Sequence, residues 1–68
     1  MTEIEFELNG QLFRLVGHPG TKRKIFDAKG SEWSEDMLVA WASEHQAHLA
    51  LAYAHRDWNR RAAFAHAH

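Results

Sequence analysis

The dipeptide Asn9-Gly10, flanked on both sides by alternating apolar residues, constrains this chain more than any other feature. Both residues tolerate the positive φ that a two-residue type I′ turn demands, so the backbone is expected to reverse there. Before the turn, Ile4, Phe6 and Leu8 alternate with Glu3, Glu5 and Glu7, the period of two of a strand with one buried and one wet face. Closing the turn sets the register: Leu8 lies opposite Gln11, Phe6 opposite Phe13, Ile4 opposite Leu15, and Glu5 opposite Arg14 on the wet face. The Phe6 and Phe13 pair then anchors the buried side, while an exposed Glu5 and Arg14 pair adds at most about 1 kcal/mol.

Gly17-His18-Pro19-Gly20 is turn chemistry, because proline cannot continue a paired strand and the glycines relax the backbone. A third strand is expected from near Lys22 through Ile25 and Phe26. Asp27-Ala28-Lys29-Gly30 reads as a tight turn, and Ser31 to Trp33 as a short fourth strand. Ser34 can then cap a helix whose first turn holds Glu35 and Asp36, where the helix dipole favours negative charge. Beyond Met37 there is no glycine or proline, and alanine is abundant, so a long helix is expected. The fold class is α+β: an antiparallel β-meander of three to four short strands packed against a long C-terminal helix.

Projected as one continuous helix at 100° per residue, Leu38, Trp41, Ala42, His45, Leu49, Ala52 and Tyr53 share a face, and this face is expected to meet the sheet. Arg56 falls within the same stripe, which argues for a break near residues 56–59. A second stripe, Ala40, Ala47, Leu51, Ala54, Trp58 and Ala62, lies on the opposite side. One sheet cannot cover both, so Leu51 and Trp58 are expected at a homodimer interface made through the helix.

With 68 residues the chain has room for one core, so residues 1–68 read as a single domain, 1–33 forming the meander and 34–68 the helical segment. A hydrophobic fraction of 46% with 25% charged residues is globular usage, and a disordered chain would show far less of the former. The absence of cysteine removes disulfides and thiolate metal sites and agrees with a soluble, cytoplasmic protein. The acidic, alternating N-terminus is unlike a secretory signal, and no stretch approaches the roughly 20 apolar residues of a membrane span.

The residues offer little to catalysis. Ser31, Ser34 and Ser43 sit in turn, cap and helix contexts without a nucleophile elbow or triad pattern, and the glycines around Pro19 lack the ending of a phosphate loop. No enzyme activity and no cofactor are expected. Six histidines are many for this length, and His45 and His48 are close enough on a helix to share a metal. A zinc site needs three or four ligands, so these two read as helical histidines without a common ion. His66 and His68 near the C-terminus could chelate adventitiously.

Charge is uneven despite a net value of −1. Glu3, Glu5 and Glu7 form an acidic strand face, Lys22, Arg23 and Lys24 one basic cluster, and Arg56, Arg60 and Arg61 another. The leading expectation is a small protein-binding module, a regulator or inhibitor of a larger macromolecular assembly. Its contacts would be either Glu3, Glu5 and Glu7 imitating a polyanion against a basic groove, or Trp58 with Arg60 and Arg61 as interface anchors beside Leu51. In size and format such a module resembles the small phage and mobile-element proteins, anti-CRISPR inhibitors among them, that block host machines. The alternative expectation is a nucleic-acid-binding accessory protein using Lys22, Arg23, Lys24 and Arg56 on phosphates, with Trp58 stacking on a base.

Overall fold

A computed structural model describes residues 1–66 and shows the α+β architecture. Four strands, β1 (Thr2–Leu8), β2 (Gln11–Gly17), β3 (Lys24–Asp27) and β4 (Glu32–Trp33), form one antiparallel sheet in the order β1-β2-β3-β4. Two helices follow, α1 (Glu35–Trp41) and α2 (Glu44–His66). Asn9 and Gly10 take φ of 52° and 79°, as the type I′ turn requires, and the first hairpin has the expected register at every pair. Phe6 stacks on Phe13 with ring centroids 5.7 Å apart. The ion pair is different: Arg14 reaches diagonally to Glu3 at 2.9 Å rather than to Glu5, its direct neighbour across the strands. The third strand starts at Lys24, two residues later than expected.

The second hairpin is organised by Asp27. Its Oδ1 accepts hydrogen bonds from the Lys29 and Ser31 amides, each at 2.9 Å, and its Oδ2 accepts one from the Trp33 indole at 2.9 Å. The turn is closed by Gly30 donating to the Asp27 carbonyl at 3.0 Å. The Trp33 ring, fixed in this way, meets Phe13 and Trp41 edge to face at 5.3 and 5.5 Å. Such aromatic pairs add about 1 kcal/mol each beyond the area they bury.

Ser34 caps α1 as expected, its hydroxyl accepting from the Met37 amide at 3.1 Å. The helix then ends where continuity was expected. Ala42 leaves helical geometry (φ −96°, ψ −87°), and the Ser43 hydroxyl accepts from the Gln46 amide at 3.2 Å to start a new helix. From Glu44 the helix runs without interruption through residues 56–59, so the break lies at Ala42–Ser43 instead.

That single displacement exchanges the two stripes. The core comprises Ile4, Leu8, Phe13, Leu15 and Ile25 from the sheet, Leu38 from α1, and Ala47, Leu51, Ala54, Trp58 and Ala62 from α2. The stripe expected at a dimer interface is therefore the one that meets the sheet, Leu51 and Trp58 being 4% and 3% exposed. Of the stripe expected to be the core Leu38 is buried, Ala42 is half-buried against it and Trp41 packs edge to face on Phe13 at its margin, while His45, Leu49, Ala52 and Tyr53 face outward. Arg56 consequently sits on the wet side, and the conflict that argued for a break near it disappears. No helix among the described residues is long and apolar enough to cross a membrane.

Candidate functional site

Both helices pack on one side of the sheet, and the other side has no covering element among the described residues. The register lays that bare face out in rows. Glu3, Val16 and Lys24 form one row, Glu5, Arg14, Phe26 and Glu32 the next, and Glu7 with Leu12 a third. An acidic column thus runs down β1 beside a ridge of Leu12, Val16 and Phe26. Leu12 is half exposed, while Val16 and Phe26 are partly covered by their neighbours. Arg14 stands between the two zones, bonded to Glu3 and with its guanidinium 6.0 Å from the Phe26 ring centroid. Glu3 is neutralised by that pair. Glu5 and Glu7 make no ion pair among the described residues, so the unbalanced negative charge of the column is theirs.

The other expected site residues are spread over the opposite side and the flank. Trp58 is buried, its indole donating to the Thr2 carbonyl at 3.0 Å, so it cannot stack on a base or anchor a partner. Leu51 is likewise core. Arg61 donates to the Glu3 carbonyl at 3.0 Å and helps hold α2 on β1. Arg60 is exposed beside Asp57 at 4.0 Å, and Arg56 is exposed on the same outer face of α2. His45 and His48 are both exposed, and no group of three metal-ligating side chains occurs among the described residues. His68, and with it the chelating pair at the C-terminus, lies outside the described residues.

Arg23, read from the sequence as one member of a basic run, has a structural task. Its guanidinium lies 3.9 Å from the Trp58 ring centroid, donates to His55 Nδ1 at 2.7 Å, and donates to the Asn59 side-chain oxygen. A guanidinium only donates, so Nδ1 of neutral His55 must accept and Nε2 carries the proton. Nε2 faces Glu35 at 3.5 Å, which ties the start of α1 into the same network. Gly17 permits this closure, because a Cβ there would come within 3.2 Å of the Arg23 side chain. Lys22 and Lys24, its chain neighbours, are left exposed.

Beside this network an open groove of about 590 Å³ has Lys22 and Lys24 on one wall and Glu32, Glu35 and Asp36 on the other. The two walls offset each other's fields, so the groove projects no strong potential of either sign. Asp27 is held below the usual carboxylate range, chiefly by the Trp33 indole and then by the Ser31 amide. Both its oxygens accept hydrogen bonds within the second hairpin, which makes it a structural carboxylate.

Comparison of the chain with protein-family models, with curated proteins and with solved structures finds no match. Its surface must therefore carry the functional argument.

Proposed function

We propose that the chain is a small protein-binding module, a regulator or inhibitor of a larger macromolecular assembly, and that it engages its partner through the bare face of the sheet. One observation carries this reading: the sheet is covered on one side only, and the other presents Leu12, Val16 and Phe26 alongside Glu5 and Glu7. Apolar side chains grouped on a rigid surface mark partner sites, and the adjoining carboxylates supply orientation and on-rate toward a basic groove. Action is by occupancy rather than catalysis. The cytoplasm suits a chain without cysteine. Expression of tagged protein in the native host, followed by capture and mass spectrometry, tests the proposal. Wild type retains a partner that Leu12→Glu and Glu5→Lys/Glu7→Lys both lose; capture that survives both changes rules the face out.

A second reading has an observation of its own. Arg23 fastens the segment between β2 and β3, which carries Lys22, to α2 beside Arg56, joining two basic clusters that are more than thirty residues apart in sequence. A phosphate backbone could follow that flank. Anisotropy with labelled single- and double-stranded DNA and RNA at low salt separates the two: affinity lost on Arg56→Glu favours nucleic acid, and none at any salt leaves the protein-binding reading alone.

A further inference from the structure

The face of α2 that points away from the core repeats a pattern of its own. Leu49, Tyr53, Arg56 and Arg60 follow at i, i+4, i+7 and i+11, opposite the buried stripe, with Leu49 and Tyr53 respectively 49% and 58% exposed. This is an apolar segment leading into a basic one. The bare sheet face is its counterpart, an apolar ridge of Leu12, Val16 and Phe26 bordered by Glu5 and Glu7.

Charge matches too: Arg56 and Arg60 on the helix face answer Glu5 and Glu7 on the sheet face. We propose that the outer face of α2 in one copy docks on the bare sheet face of a second copy, Leu49 and Tyr53 on the apolar ridge and Arg56 and Arg60 reaching Glu5 and Glu7. The contact repeats the helix-on-sheet layering of the domain itself. It rests on the reading of the sheet face as a docking surface, and it adds a regulation of that surface: self-assembly and partner capture exclude each other.

The two patches are different, so the contact is heterologous and propagates head to tail instead of closing as an isologous dimer. Three helical turns on a four-stranded face cover less than the roughly 800 Å² per partner of a standard stable interface, so association is weak and concentration-dependent. Its charged component makes it sensitive to salt. The Asp57 carboxylate, 4.0 Å from Arg60 in an exposed pair, is a weak competitor.

Sedimentation velocity at low salt, over about 10 µM to 1 mM, tests the proposal with three proteins: wild type, Glu5→Lys/Glu7→Lys and Arg56→Glu/Arg60→Glu. Circular dichroism checks that each is folded. The weight-average mass of the wild type should rise with concentration, without a plateau at the dimer. Each variant alone should remain monomeric, since its altered face meets like charge on every other copy. The equimolar mixture should associate again, because each variant's unaltered face then meets its complement and the two altered faces complement one another. Wild type that stays monomeric throughout overturns the proposal, as does self-association of Arg56→Glu/Arg60→Glu, which would place the contact off α2. Neither result touches the protein-binding reading of the sheet face, which falls separately if partner capture survives both Leu12→Glu and Glu5→Lys/Glu7→Lys.

Discussion

Leu49 and Leu51, two residues apart on α2, should respond in opposite ways to the same substitution. Leu51 is 4% exposed and flanked on the buried stripe by Ala47 and Ala54, whose methyl groups cannot extend into a vacated space. Leu51→Ala therefore loses nearly the full transfer energy of the side chain and leaves a cavity, for a cost of about 3 kcal/mol. A domain of 68 residues has about 3–10 kcal/mol in total, so the variant should be close to unfolded or melt more than about 10 °C below wild type. Leu49 is half exposed and its removal opens no cavity. Leu49→Ala should change stability by no more than about 0.5 kcal/mol, partly offset by alanine's higher helix propensity. Urea and thermal unfolding followed by helical ellipticity measure both. Equal costs, or a larger cost for Leu49, would refute the assignment of the core stripe and with it the break at Ala42–Ser43.

Ser43→Ala removes the hydroxyl that accepts the Gln46 amide and should lower stability by about 1 kcal/mol in the same unfolding assay, against little change for Ser31→Ala, whose backbone alone serves the second turn. Trp58→Phe keeps an aromatic ring beneath Arg23 but leaves the buried Thr2 carbonyl without its donor, for a loss of about 1–2 kcal/mol. The Asp27 carboxyl is depressed in the folded protein, so its stabilising contribution is present above the unfolded value near pH 4 and disappears as pH falls through the lower folded value. Acid titration followed by the NMR signal of the Trp33 indole N–H should show the second hairpin loosening in that window, and Asp27→Asn should remove the transition.

The first hairpin was legible because everything that sets it is local: an Asn-Gly turn and a strand with period two determine which residues face which. The second hairpin was legible in outline for the same reason, although the Asp27 side chain that organises it looked like any turn residue. The phase of α2 is not legible from a projection, which assumes one continuous helix where the chain has two. A local signal existed: Ser43 followed at the third position by Gln46 is a capping-box pattern inside an alanine-rich run, and it marks a new start. Arg23 could not be placed from sequence, since its partners His55 and Asn59 are 32 and 36 residues away.

The bare face lay between these cases. Alternation showed that Glu3, Glu5 and Glu7 are wet. Leu12 and Val16, however, break the alternation of β2 by placing apolar residues on the same side as Arg14, and their exposure depends on where the helices go. With α2 turned so that Leu51 and Trp58 meet the sheet, the outward surfaces are the ridge on β2 and β3 and the stripe from Leu49 to Arg60.

The most direct test of the central claim is amide-resolved NMR shift mapping of isotope-labelled protein, kept dilute, on addition of the captured partner. The account predicts that perturbations concentrate at Glu5, Glu7, Leu12, Arg14, Val16 and Phe26 and leave the outer face of α2 unchanged. Perturbations confined to Lys22, Arg23 and Arg56, with the sheet face silent, would contradict it.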